Sequence, residues 1–359
     1  MIEEYLDVSS PFQRIMPNIL LCNILMMRQN VYLKNSFVER GSDKMPKVPQ
    51  VTVIGHIIIE TIIFPNGNVV TPVLGSPAAY SSVALAKLGT QVGLCTKVGK
   101  DMPQELLKPF IDTSVNIDGL IVEGDHSTTN KLIYQHLESK RVEYIHKAPD
   151  ITVKDIPEHF REAQLFYICP MDFEVPSEVI EELAKTGKPV FVDLGGYGGA
   201  TSSQHQLGDE VLLEQLKPIL RSATLVKASL EDSQLILGSS NTKNSMFLDE
   251  AIFAKKFLDM GAEKVIITLG SRGVLYSDSY NNKYYPSFPC NAFDTTGAGD
   301  TFCAGTIHEY LKTQNLEKAI LFGEAVACLV IRKTGGVKAE RMPTEAEVRK
   351  FLQVITQNT

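Results

Sequence analysis

Apolar positions fall along this chain in two rhythms, and their alternation predicts its architecture. Short apolar runs at residues 51–55, 91–98, 163–169, 189–193, 224–228 and 264–269 read as buried strands. Between them, residues 75–88, 103–112, 176–186, 208–221, 230–237 and 248–260 carry apolar residues at helical spacing. Gly89 stands where a helix C-terminus favours glycine. Strand–helix alternation of this kind predicts an α/β fold with a mostly parallel central sheet flanked by helices on both faces. A hairpin over 273–285, with Asn281-Asn282 at its turn, precedes three closing helices at 301–313, 316–333 and 344–357.

Two segments break the rhythm. Residues 61–74 are β-branched and interrupted by the turn signal Pro65-Asn-Gly67. Residues 128–146 hold two strand candidates, 131–135 and 141–145, with Glu138-Ser-Lys140 between them. Together they predict a small β-sheet lid, from segments about 60–75 and 127–147, beside the main sheet. An isolated small sheet has an apolar face to cover, so a homodimer through the lid is expected. Residues 1–49 read as an N-terminal extension, loosely attached or disordered, ahead of one large domain over 50–359. Its apolar stretch 15–27 is broken by Pro17, Asn18 and Asn23 and is too short to span a membrane. The acidic start Met1-Ile-Glu-Glu4 lacks the basic region of a signal peptide.

Composition adds exclusions. Of 359 residues, 44% are hydrophobic and 21% charged, as in soluble globular proteins. A net charge of -7 with no polybasic stretch argues against a nucleic-acid partner. The six cysteines (Cys22, Cys95, Cys169, Cys290, Cys303, Cys328) show no C-x-x-C spacing, and the seven histidines no ligand spacing. The cysteines therefore read as reduced core thiols in a cytoplasmic protein, without a zinc site.

The densest chemical signal is Asp294-Thr-Thr-Gly-Ala-Gly-Asp300, directly ahead of a helical pattern. Small residues let backbone N–H groups converge, and the helix behind adds the positive end of its dipole, which together make an anion site. An acidic residue is electrostatically costly there, so Asp300 suggests a base that takes a proton from an attacking hydroxyl. A lone glycine turn with a capping Asp would be the structural alternative. No G-x-x-x-x-G-K-[ST] string is present. Gly55, Asp193, Ser229, Gly270 and Asp300 all lie at or after predicted strand ends, where open α/β sheets bind ligands.

Four blocks in order now resemble the ribokinase-like (PfkB) carbohydrate kinases: Val53-Ile-Gly55 with Glu60 five positions on, the 75–89 segment, Val265 to Gly273, and Asp294–Asp300. The resemblance spans roughly residues 51–345 and implies a ribokinase-like fold and transfer of the ATP γ-phosphoryl to an alcohol. It implies Asp300 as general base and the N–H groups of Gly297, Ala298 and Gly299 as anion hole. Thr268, Gly270 and Gly273 would lie along the nucleotide, with Ala327 near the adenine beside Gly323 and Ala325. Glu60, Gly75, Ser76, Tyr80 and Thr129 would meet the acceptor, with Thr128, Asn130 and Arg141 close by. Ser229 and Asp232 stand where the family has its N-x-x-E element, linked to Mg²⁺, and Asp294 where it helps hold a monovalent cation such as K⁺.

Four positions depart from the family pattern: Glu60 for Asp, Ser76 for Gly, Tyr80 for Asn, and Ser229 for Asn. The expected acceptor is a small sugar or an inositol-like polyol. A nucleoside kinase, or a non-catalytic binding protein on this fold, are the alternatives.

Overall fold

The computed structural model describes residues 47–136, 139–203, 210–238 and 249–358. In chain order the strands are β1 (Val51–Ile54), β2 (Ile58–Ile63), β3 (Val69–Gly75), β4 (Val92–Val98), β5 (Asn116–Val122), β6 (Thr129–His136) and β7 (Ser139–His146). They continue as β8 (Leu165–Ile168), β9 (Val190–Asp193), β10 (Leu225–Ser229), β11 (Lys264–Thr268), β12 (Val274–Asp278) and β13 (Asn282–Tyr285). Nine strands form the main sheet in the order β13-β12-β11-β10-β9-β8-β1-β4-β5. From β11 to β5 all neighbours are parallel, and β12 and β13 add an antiparallel edge. The family's expected sheet is therefore present, as is the small one, ordered β3-β2-β6-β7.

The strand sequences explain the layering. Every residue of β1, β4, β8 and β9 is buried, as helices on both faces require. Alternate residues feed two cores. Val51 and Val53 face one and Ile54 the other; Phe191 joins the first, Val190 and Val192 the second. The first core packs helices Pro77–Lys87, Ala298–Thr313 and Leu316–Ile331, and the second packs Ser177–Ala184, Glu210–Ser222 and Asp249–Asp259.

Helices Ala298–Thr313 and Leu316–Ile331 cross at two glycines. A Cβ on Gly305 would come within 2.9 Å of the Gly323 Cα. One on Gly323 would meet Thr306 Oγ1 at 2.3 Å and the Phe302 carbonyl at 2.6 Å. Gly323 is thus required by close helix packing, whatever lies near Ala327.

Several expectations change. Strand β5 is an element that the apolar pattern did not predict; it pairs along β4 at the sheet edge, where only one neighbour must be satisfied. The helix expected over 103–112 is a 3-10 turn, Gln104–Leu107, followed by Lys108–Asp112, with Pro109 in the first turn of the second piece. The reading of all cysteines as reduced is corrected for two of them. Cys290 and Cys328 are joined by a disulfide, their Cα atoms 5.8 Å apart. The chain after β13 returns along helix Leu316–Ile331, where Phe293 N–H donates to the Ile331 carbonyl at 2.8 Å, and this return brings the two cysteines together. Cys95, Cys169 and Cys303 are free and buried. Cys22, residues 1–46 of the extension and Glu138 of the expected turn lie outside the described residues. No helix among the described residues is long and apolar enough to cross a membrane.

Candidate active site

Helix Ala298–Thr313 starts at Gly297, whose φ of 77° belongs to the left-handed region where glycine is favoured. A second constraint acts at the same residue: a Cβ there would lie 2.4 Å from the Tyr80 ring. Asp294 Oδ1 accepts the Thr296 N–H at 3.0 Å and fixes the approach of the loop. No side chain caps the helix, so its N–H groups and dipole face the cleft ahead of it. Asp300 sits in that first turn, half-buried, and Ser81 Oγ donates to its carbonyl at 3.1 Å.

Across from the loop stands the small sheet. A cavity of about 460 Å³ between them is lined by Glu60, Ser76, Tyr80, Asn130 and Thr295 through Asp300, with Leu132, Val142, Met171 and Thr201 among the rest. Glu60 is 7% exposed on β2. Its carboxyl carbon lies 2.2 Å from where a Cβ on Gly75 would be, so a side chain at 75 would push the carboxylate from this position. Ser76 keeps a backbone that glycine would take more readily, with φ 110°. Such a conformation costs on the order of 1–3 kcal/mol. Its hydroxyl offsets part of this by accepting the Ala79 N–H at 3.0 Å, capping helix Pro77–Lys87.

Asn130 on β6 is fully buried, and neither its amide oxygen nor its nitrogen has a hydrogen-bond partner. A buried primary amide without partners costs free energy, so this one is poised for a polar ligand. Tyr80 is 4% exposed, and burial raises its hydroxyl well above the ordinary tyrosine range. Its ring supports the Gly297 loop rather than offering an open face.

The other expected acceptor residues lie apart from the cavity wall. Thr129 Oγ1 donates to the Ser127 carbonyl at 3.0 Å. Thr128 bonds the His56 ring at 2.8 Å, and Arg141 pairs with Glu143 at 3.1 Å on the surface.

At the strand ends, Ser229 and Asp232 form a reciprocal capping box on helix Leu230–Leu237. Asp232 N–H donates to Ser229 Oγ at 2.9 Å and Ser229 N–H to Asp232 Oδ2 at 2.7 Å. Asp232 Oδ1 accepts the Ala200 N–H at 2.8 Å. Each Asp232 oxygen thus accepts one backbone N–H, which orients the carboxylate and leaves a lone pair on each oxygen. Thr268 ends β11 half-buried, and Gly270 follows it, exposed, with φ 61°. A Cβ on Gly273 would lie 2.0 Å from the Tyr285 carbonyl, so that glycine is needed by the β12–β13 hairpin. Ala327 is half-buried against the first core.

Sequence reasoning missed Lys227. It lies on β10 with its Nζ 3.0 Å from Asp193 Oδ2, and the pair is almost fully buried. Gly195 N–H donates to Asp193 Oδ1 at 2.9 Å. Burial pushes the Lys227 pKa down, but the Asp193 carboxylate, helped by Asp232 and Asp300, raises it above the ordinary lysine value. Lys227 is therefore cationic, and its Nζ lies 3.3 Å from the position a Cβ on Gly299 would take. The signal for it was present: a lysine inside the apolar strand Leu225–Ser229 needs a buried anion. The helix N-terminus and the glycine loop thus line the cavity together with the Asp300 carboxylate, and a buried ammonium lies close to Gly299. That set can bind an anion and accept a proton from a group attacking it.

Comparison with known proteins agrees with this geometry. The chain is 29% identical over 286 residues to the cytidine kinase of Thermococcus kodakarensis, covering 79% of this chain and 96% of that one. Its fold is similar to that of a fructokinase from Vibrio cholerae O395 bound to fructose, ADP and potassium ion. The TM-score is 0.70 at 18% identity, with 86% and 100% of the two chains covered. It is also similar to a pyrophosphate-dependent kinase in the ribokinase family complexed with a pyrophosphate analog and myo-inositol. There the TM-score is 0.63 at 20% identity, with 81% and 98% covered. Residues 48–343 match the pfkB family carbohydrate kinases, and the chain belongs to that family of kinases.

Proposed function

We propose that this kinase transfers the γ-phosphoryl of ATP to a hydroxyl of a small, inositol-like polyol. The observation that carries the acceptor class is the unpartnered, buried Asn130 amide in the same cavity as the Glu60 carboxylate and Asp300. Glu60 accepts hydrogen bonds from neighbouring hydroxyls, and Asn130 both donates and accepts. Asp300 takes the proton of the hydroxyl as its oxygen bonds to the γ-phosphorus. The bond from that phosphorus to the bridging oxygen breaks, and ADP leaves. The backbone N–H groups of Gly297 through Gly299 and the Lys227 ammonium stabilise charge on the phosphoryl oxygens. Mg²⁺, bound through the phosphates, would neutralise charge between them. Thr268 and Gly270 are assigned to the nucleotide side on the same reading.

A nucleoside acceptor is the second reading, favoured by the likeness to a cytidine kinase. Tyr80 argues for the polyol, because its ring is buried beneath the Gly297 loop and is not open to stack on a base. A panel of inositols, ribose and nucleosides, read by ADP release, separates the two. We expect turnover with polyols; phosphorylated nucleosides with inert polyols would reject the first reading.

The small sheet supports a homodimer. Val69, Val70 and Ile145 on its strands are 55%, 49% and 42% exposed. Light scattering at micromolar concentration should give twice the 39.7 kDa chain mass, and a monomeric mass would sink this proposal.

A further inference from the structure

Arg341 is 2% exposed, and its guanidinium is ringed by oxygen. Its Nε donates to the Lys333 carbonyl at 3.0 Å, Nη1 to the Gly336 carbonyl at 3.4 Å and Nη2 to the Asp294 carbonyl at 2.8 Å. Nη2 also lies 3.5 Å from Asp294 Oδ2. Backbone carbonyls with one carboxylate are the ligands a hard cation takes. Asp294 is also the residue expected to help hold a monovalent cation. Those oxygens already surround a buried positive charge, and a second cation among them would meet strong repulsion in a poorly screened site. A monovalent cation does not fit here.

We propose that the Arg341 guanidinium is a built-in replacement for the monovalent cation, so that the anion-hole loop is held in place without K⁺. The connection to the loop is short. Arg341 pairs with Asp294, Asp294 Oδ1 accepts the Thr296 N–H, and Gly297 follows. Arg341 also lies over the Tyr80 ring, its Cζ 5.9 Å from the centroid, and that ring supports Gly297 from below. Arg341 is therefore a positioning residue: it acts on the loop through Asp294 and Tyr80.

The inference rests on reading the loop as an anion hole, but its test does not need turnover. The melting temperature of the full chain is followed while KCl replaces tetramethylammonium chloride at constant ionic strength. Wild type should show no K⁺-specific shift; a saturable rise with K⁺ overturns the proposal. Arg341→Ala should melt on the order of 5–10 °C lower, because Asp294 and the carbonyls lose their cation. K⁺ or low concentrations of guanidinium should then recover part of that loss. A loss that neither cation recovers would make Arg341 an anchor only and also overturn the proposal. Arg341→Lys, which keeps the charge, guards against Arg341→Ala failing to fold, and it should retain K⁺ independence. If the wild-type and variant shifts come out as stated while no acceptor is phosphorylated, the proposed function fails and this inference stands.

Discussion

Asp300→Asn should lower turnover by ~10²–10⁴-fold while leaving the fold and nucleotide affinity close to wild type. The carboxylate sits in the first turn of helix Ala298–Thr313, so its loss removes a favourable dipole interaction of only about 0.3–1 kcal/mol. The proton-transfer role is worth about 3–5 kcal/mol of barrier, and the catalytic effect dominates. Asparagine keeps the size and leaves the Ser81 bond to the residue 300 carbonyl in place. The deficit should appear in kcat, with KM for the nucleotide nearly unchanged. Turnover at the wild-type level would remove Asp300 from the mechanism. A large drop in melting temperature with no change in kcat would make it a helix-capping residue instead.

Lys227→Met should damage both stability and catalysis. Asp193 would keep its charge in a nearly water-free site with its ammonium partner gone, and breaking such a pair costs about 3–5 kcal/mol. For a domain of this size that is a fall of roughly 5–8 °C in melting temperature. Turnover should fall a further ~10²–10³-fold, the usual effect of removing one charge-stabilising donor. Combining Lys227→Met with Asp193→Leu removes both charges, so it should recover much of the stability and none of the turnover. Recovery of turnover in the double variant would mean that Lys227 only serves the core.

The pH sign is fixed by the raised lysine pKa. The pair's contribution is fully present below the ordinary lysine value and is lost only as pH rises through the higher folded one. Both deficits should therefore be constant between about pH 6 and pH 9.

The parallel core was legible because strands buried on both faces must be mostly apolar, as β1, β8 and β9 are apart from Thr52 and Asp193. β5 was not, since an edge strand tolerates Asp118 and Gly119, which interrupt the apolar run. The Gly297 loop was legible because its conformation requires small residues in sequence. Lys227 inside an apolar strand signalled a buried anion, but its partner Asp193 is brought beside it only by the pairing of β9 with β10. Ser229 and Asp232 invite a metal-linked reading by position, yet Ser-x-x-Asp also matches a capping box, and that is the bond pattern found. Arg341 carried no periodic signal. Its role follows from the carbonyls of a glycine-bearing loop folding around it, and backbone oxygens cannot be read from side-chain sequence.

The two sides of the cavity come from different parts of the chain. Glu60, Ser76, Tyr80 and Asn130 lie in the first half, mostly on or beside the small sheet, while the run from Thr295 to Asp300 lies in the second. Their main meeting point is Tyr80 beneath Gly297. On the proposed function, changes at Glu60 or Asn130 would alter the acceptor with little effect on the Gly297 loop, whereas changes at Tyr80 would reach both. One scaffold could then acquire new acceptors by small steps at the sheet side of the cavity, with the Gly297 loop unchanged.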